Sequence, residues 1–167
     1  MPKVKDYLRD VTAFIDGRSY AGQCNQATLP SLQLQTEEMR AGGMDTPKEV
    51  DMGLQAMEAS FQFASVPAEV MKLFGKENVD FKVRGWLKTP GGDDKGAVAT
   101  MTGRIKTDEP GDWAPGSVAS KTVTVAVDTY KLEVDGETVH DIDSENYKRV
   151  IDGVDMLEKG REFLGIG

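Results

Sequence analysis

The sequence predicts one mostly-β domain, a β-sandwich or partial barrel that carries one internal α-helix and a short C-terminal helix. Three observations carry that prediction. Apolar and polar residues alternate with a period of two along long segments, the mark of strands with one buried and one wet face. Asp-Gly pairs at Asp16-Gly17 and Asp135-Gly136 stand between apolar segments, where a tight hairpin needs positive φ at both central residues. Helical spacing is confined to residues 65–75 and the C-terminal tail. A chain of 167 residues suits a single domain over 1–167, and no repeat, low-complexity tract or linker divides it.

Taken in order, VTAFIDGRSYAGQ (11–23) predicts a hairpin about Asp16-Gly17. Residues 31–63 read as two strand segments, with Leu32 and Leu34 alternating with Gln33 and Gln35, then Met52, Leu54, Met57, Ala59, Phe61 and Phe63. The step from Leu54 to Met57 breaks the period, as a bulge or bend does. Between them RAGGMDTPKEVD predicts a polar loop far longer than a hairpin needs, of the kind that touches a partner. Ser65 is placed to cap the helix, Pro67 fits its first turn and Gly75 can close it, with Val66, Val70, Leu73 and Phe74 on one face.

Strands resume at 79–88 with Val79, Phe81 and Val83 inward, and TPGGDDKG then predicts an exposed turn. Residues 97–107 put Met101 and Ile105 on one side and Thr100, Thr102 and Arg104 on the other. A second loop, 109–117, holds Trp113 as a candidate plug. Residues 118–134 predict one very long strand with Val123, Val125 and Val127 on one face and Tyr130, Leu132 and Val134 on the other, so a bulge near Asp128 should turn it into a second sheet. The tail offers Val154, Leu157 and Leu164 as a helical stripe that Gly160 weakens.

Composition removes whole classes of function. Cys24 is the single cysteine and His140 the single histidine, which excludes internal disulfides, zinc fingers and histidine-rich metal centres. A formal charge of −8 opposes phosphate backbones, and no basic stripe offsets it, so gripping nucleic acid is not expected. Such a surface suits one past which nucleic acid slides. No twenty-residue apolar run exists, and MPKVKDYLRDV lacks the apolar segment of a signal peptide, so expression in a cytoplasm is expected.

Catalytic constellations are thin. His140 has only Asp141 and Asp143 beside it and the chain has no GxSxG elbow, so the histidine reads as an exposed strand residue. GGDDKG lacks the ending of a phosphate-binding loop, and Cys24 has no basic neighbour in sequence to activate it. DIDSENYKRVID (141–152) spaces its acids as a calcium loop does, with Asn146 where glycine belongs and Asp152 where a bidentate glutamate belongs. A calcium-dependent β-sandwich binding module is therefore the alternative reading. The methionines Met39, Met44, Met52, Met57 and Met71 suit either core filling or packing against a neighbouring subunit.

FIDGRSYAG, TLPSLQLQTEEMRAGGMDTPKEVDMGLQAMEASF, VDTYKLEVDGETVHDID and VIDGVDMLE occur in an order that resembles the major tail tube proteins of contractile-tailed phages, the branch that includes the R-type pyocin tube. The likeness runs from about Phe14 to the C-terminus, and RAGGMD with DMGLQAMEA is its most specific part. It implies a structural protein with neither enzyme activity nor cofactor, whose hexameric rings stack into a rigid tube with strands shared in one β-barrel about the lumen. It also implies the tail sheath, baseplate and spike, and tail terminator proteins as partners, with a tape measure protein in the lumen during assembly. DNA would pass without specific binding where the particle is a phage, and tube subunits would assemble in the host cytoplasm into a virion tail. The assembly role then falls on the loop Arg40, Ala41, Gly42, Gly43, Met44, Asp45, Thr46, Pro47, Lys48, Glu49 and Val50. Lumen-facing positions are expected at Gln33, Gln35, Glu37, Gln55, Glu58, Ser60, Thr100, Thr102, Thr122 and Thr124, as a hydrophilic, acidic-leaning wall.

Overall fold

Asp16 and Gly17 adopt φ of 51° and 79°, and this turn sends β1 (Tyr7–Ile15) back into the short β2 (Arg18–Ser19). The computed structural model describes residues 5–167; residues 1–4, part of the opening segment read above for a signal peptide, lie outside the described residues. β3 (Cys24–Thr28) follows, then β4 (Leu34–Met39), β5 (Lys48–Leu54) and β6 (Met57–Phe63). Helix α1 (Ala68–Met71) leads to the long strands β7 (Val79–Lys88), β8 (Lys95–Glu109) and β9 (Lys121–Val134). The chain ends with β10 (Glu137–Asp143), β11 (Lys148–Ile151), β12 (Val154–Asp155) and α2 (Glu158–Leu164).

The antiparallel order β2-β1-β7-β8-β9 continues on one side of β9 into β10, β11 and β12, and branches to β6 and β3. Backbone bonds from Gln23 and Cys24 to the Tyr20 carbonyl bring β3 beside the β1–β2 turn, so β1, β7, β8, β9, β6 and β3 wrap almost into a barrel. Its interior is the core. Ala13 and Ile15, Val79, Phe81 and Val83, Ala99, Met101 and Ile105, Val123, Val125 and Val127, and Met57, Ala59, Phe61 and Phe63 are all buried there. The alternation expected for β6 to β9 is therefore observed, with Phe61 stacked on Phe81 at 5.6 Å.

The bulge sits at Asp128. Thr129 pairs with Thr102 and Val127 with Gly103, which leaves Asp128 as the unpaired extra residue. On its other edge β9 pairs with β6 through Val127 and with β10 from Thr129 onward, so the bulge marks the change of partner. The expected switch of face does not occur. Tyr130 pairs with Met101 and Leu132 with Ala99, both core residues, because the extra residue resets the phase and keeps the apolar side chains on one side. The second sheet is thus a continuation of the first.

Helical segments are smaller than expected. Residues 65–75 yield only four α-helical residues, with Pro67 rather than Ser65 at the N-cap position; the Ser65 hydroxyl meets the Gln23 amide oxygen instead. Val70 is buried and Leu73 packs on the core, but Val66 and Phe74 are exposed. Gly75 ends the segment with φ of 78° and donates its N–H to the Ile105 carbonyl. Trp113 is not a plug; it is 70% exposed and donates to the Pro110 carbonyl. The C-terminal stripe also fails as a packing face, since Val154 and Leu164 stand in solvent and only Leu157 is half-buried.

Candidate assembly surfaces

Leu34 and Leu54 pair at the root of a two-stranded sheet, β4–β5, that shares no backbone ladder with the main sheet among the described residues. It is an arm. At a rise of roughly 3.3 Å per residue the six to seven residues of each strand extend it by about 20 Å. Every side chain of β4 is exposed, contrary to the expectation that Leu34 would be buried; Leu32, just before the strand, is the residue that packs on the core. Lys48, Glu49 and Val50 are not loop but strand, paired with Met39, Glu38 and Glu37, so the true turn is Arg40–Pro47. Its conformation is held by the Met44 N–H on the Ala41 carbonyl, and by Arg40 Nε on the Met44 carbonyl at 3.3 Å. Gly43 needs its φ of 86°, whereas Gly42 has ordinary φ and open space about it.

The break between Leu54 and Met57 is a two-residue junction, Gln55-Ala56, where the arm joins the barrel. The Gln55 N–H donates to the Gln33 carbonyl across it at 2.8 Å. A second tie comes from the far end of the chain. Arg149 on β11 is buried at 7% exposure and its guanidinium donates to Asp51 on β5 at 2.8 Å. Asp51 also accepts the Gly53 N–H at 2.8 Å. That backbone bond first, and the arginine second, hold its carboxyl below the ordinary aspartate range. Gly53, with φ of 114°, lies at the bulge that this bond closes, since Thr36 pairs with Asp51 but Leu34 with Leu54.

The expected lumen residues divide into two groups. Glu58, Ser60, Thr100, Thr102, Thr122 and Thr124 all stand on the outer, polar face of the barrel, on β6, β8 and β9. Ser60 pairs with Thr124, and Thr102 meets Thr129 hydroxyl to hydroxyl at 2.6 Å. Gln35 and Glu37 lie on the arm instead, and Gln33 and Gln55 at its root. The barrel face is hydroxyl-rich rather than acidic, because its one carboxylate in this set, Glu58, is paired with Lys106. β7 adds Asp80, Lys82 and Arg84 to that same face, and β8 adds Arg104, which pairs with Glu77.

The remaining candidates have local explanations. His140 is half-buried rather than exposed, lies 6.3 Å from the Tyr130 ring, and its Nδ1 is buried without a hydrogen-bond partner. DIDSENYKRVID forms the β10–β11 hairpin, where Asp141 pairs with Lys148 and Asp143 accepts the N–H groups of Glu145 and Asn146. Two of its four carboxylates, Asp141 and Asp143, are thus committed to the hairpin. Burial pushes the Cys24 thiol up, away from thiolate chemistry. The methionines split between the two readings: Met57 is core, while Met39 and Met52 are exposed on the arm.

Two ion pairs escaped the sequence reading. Lys121 is fully buried against Asp108. Its parity with Val123 and Val125 was the available signal, since period two points it inward and an inward lysine needs a carboxylate. Arg149 and Asp51, 98 residues apart, left no local signal.

Residues 5–165 match the family model described as phage tail tube protein FII. The tail tube protein of Escherichia phage P2 is 28% identical over 166 residues, covering 95% of this chain and 96% of the relative. The major tail tube protein of Serratia phage KSP20 is 30% identical over 164 residues, with 96% of each covered. Among solved structures, a chain of the PVC sheath-tube complex of an extracellular contractile injection system in its extended state aligns with a TM-score of 0.57 at 12% identity. That alignment covers 74% of this chain and 87% of the other. A chain of the PVC sheath/tube terminator aligns with a TM-score of 0.58 at 10% identity, over 75% and 94% of the two chains. These likenesses bear on the fold.

Proposed function

The chain belongs to the phage tail tube protein FII family and is a structural subunit of the inner tail tube; on that premise we propose that it forms hexameric rings which stack through the arm. One domain spanning 1–167 supplies both parts of the wall. The barrel is the body of each ring subunit, and the arm, with Arg40–Pro47 at its tip, reaches a neighbouring copy. The observation that carries this is the arm itself. A two-stranded hairpin is marginal alone in water, yet β4–β5 leaves all of β4 and the apolar Met39 and Met52 in solvent. Such an element is stable when a neighbour covers it.

The polar strip of Ser60, Gln62, Thr122 and Thr124 on β6 and β9 is the part of the barrel we assign to the lumen. Hydroxyl and amide groups offer no array of cations to hold a phosphate backbone, so a linear cargo slides past them. The sheath would enclose the tube, a terminator and a baseplate with its spike would close its ends, and a tape measure protein would occupy the lumen during assembly. Assembly in the host cytoplasm, DNA passage through the tube and membrane penetration on sheath contraction complete the reading. Cryo-electron microscopy of the purified protein tests it: stacked rings of six copies are expected, and a strict monomer at high concentration would overturn it.

A further inference from the structure

The outward register of the arm places Glu38 directly opposite Glu49. Like charges at a directly opposed cross-strand pair are destabilising. Directly opposed residues share a face, and period two puts Thr36, Glu38, Glu49 and Asp51 on one face of the hairpin. At the root of that face Asp51 has its cation, the buried Arg149. Further out, Glu38 and Glu49 have no ion pair among the described residues, and both are exposed. From Leu34 to Leu54 the arm holds five carboxylates and two cations, Arg40 and Lys48. Arg40 is spent on the tip turn, and Lys48 pairs with Met39 on the opposite face. The distal half of the acidic face is therefore built against its own stability unless a cation arrives from outside.

A matching surface exists on the same molecule. Lys82 and Arg84 project from β7 on the outer face of the barrel, and neither has a carboxylate within ion-pair distance among the described residues. They flank a concavity of about 420 Å³ whose other walls include Phe14, Thr100 and a single carboxylate, Asp80. Arg84 rests 5.6 Å above the Phe14 ring, which orients its guanidinium without neutralising it. We propose that this Lys82/Arg84 concavity receives the Glu38/Glu49 face of the arm from a second copy of the chain.

The occupant follows from charge complementarity between two surfaces of the same chain. Contact between two different patches of identical copies is heterologous and propagates. The acidic arm of one copy and the unpaired cations of the next form such a contact, and opposed potentials fix its register. The inference rests on the tube reading above and specifies which surface meets the arm.

Charge exchange tests it. Glu38→Lys with Glu49→Lys, and separately Lys82→Glu with Arg84→Glu, should each reduce the sedimentable tube fraction by about tenfold or more at fixed concentration and low salt. Placing all four substitutions in one chain should restore tubes. Normal assembly of the Lys82→Glu, Arg84→Glu protein, or no recovery in the combined one, would overturn the proposal and leave the concavity to the sheath or the lumen. Wild-type protein that makes no tubes would strike the tube reading instead. Should a charge variant fail to fold, a Cys24→Ser background with Glu49→Cys and Lys82→Cys decides the matter. A ladder of cross-linked copies under a short bismaleimide is expected, and tubes that yield only single chains refute the contact.

Discussion

Gly103 leaves no room for a side chain where β8 crosses the β9 bulge, and Gly103→Ala should destabilise the folded chain more than any other single methyl group on β8. A Cβ at this position would lie 2.1 Å from the Ala126 carbonyl oxygen, 3.0 Å from its carbon and 3.1 Å from the Val127 Cα. All three are backbone atoms of β9, which no rotamer change can move. Ordinary contact requires β9 to retreat by about 1 Å. It cannot retreat freely, since Val127 is held by Met57 on its other side and Asp128 already forms the bulge. Overpacking of this kind costs about 3 kcal/mol, which for a chain of this size lowers Tm by about 6–12 °C. Circular dichroism melts of the unassembled protein measure it, with Gly42→Ala as the control, because that Cβ meets nothing within 4 Å. A Gly103→Ala protein melting within about 2 °C of wild type would refute the close approach of β8 and β9 at the bulge.

The arm permits two further tests. Replacing Gly42 and Gly43 with bulky residues should leave the subunit folded, at a cost of about 1 kcal/mol for the positive φ of Gly43, while tube growth stops; normal tubes by electron microscopy would contradict the assigned role of the turn. The Asp51–Arg149 tie predicts a pH dependence. The folded carboxyl titrates below its unfolded value, so its contribution is complete above the unfolded pKa and is lost as pH falls through the folded one, from about pH 5 downward. Arg149→Met should make the acid-side loss of hydrogen-exchange protection across Lys48–Leu54 shallower. The Gly53 bond to Asp51 remains in the variant, so the loss is reduced rather than abolished. Identical acid profiles would refute the coupling of arm and β11.

Period-two patterning made the barrel legible because each long strand buries one face, so Val79, Phe81 and Val83, or Val123, Val125 and Val127, report their orientation locally. Asp16-Gly17, Asp135-Gly136 and Asp128 were equally readable, as each is a local backbone event with its own chemistry. The face carried by Tyr130 was misread since a bulge changes parity without changing side, and only the pairing with Met101 reveals it. The arm's length was misjudged for a related reason. Val50, Met52 and Leu54 do alternate, but Lys48 and Glu49 continue the polar run of the turn, so the start of the strand is hidden in sequence. The latch between Asp51 and Arg149 depends on tertiary proximity alone.

Most of the remaining misreadings share one direction, with the half-buried His140 and the buried Lys121 and Arg149 running the other way. Leu34, Val66, Phe74, Trp113, Val154 and Leu164 all carry apolar side chains that local pattern assigns to packing, and all six are exposed in the single chain. The polar faces of β6, β8 and β9 are outward as expected, apart from the buried Lys121. Sequences that break local consistency do so where function requires it, and for a tube subunit that function is contact with other chains. The apolar residues lie in separate regions, on the arm, around α1 and its facing loop, and at the C-terminus. A self-complementary pair of copies uses one patch, whereas a subunit with neighbours within its ring, above it and below it needs several unlike ones. On the proposed ring-and-stack reading these exposed apolar positions are contacts between copies, and mutation there should impair tube growth before it impairs folding.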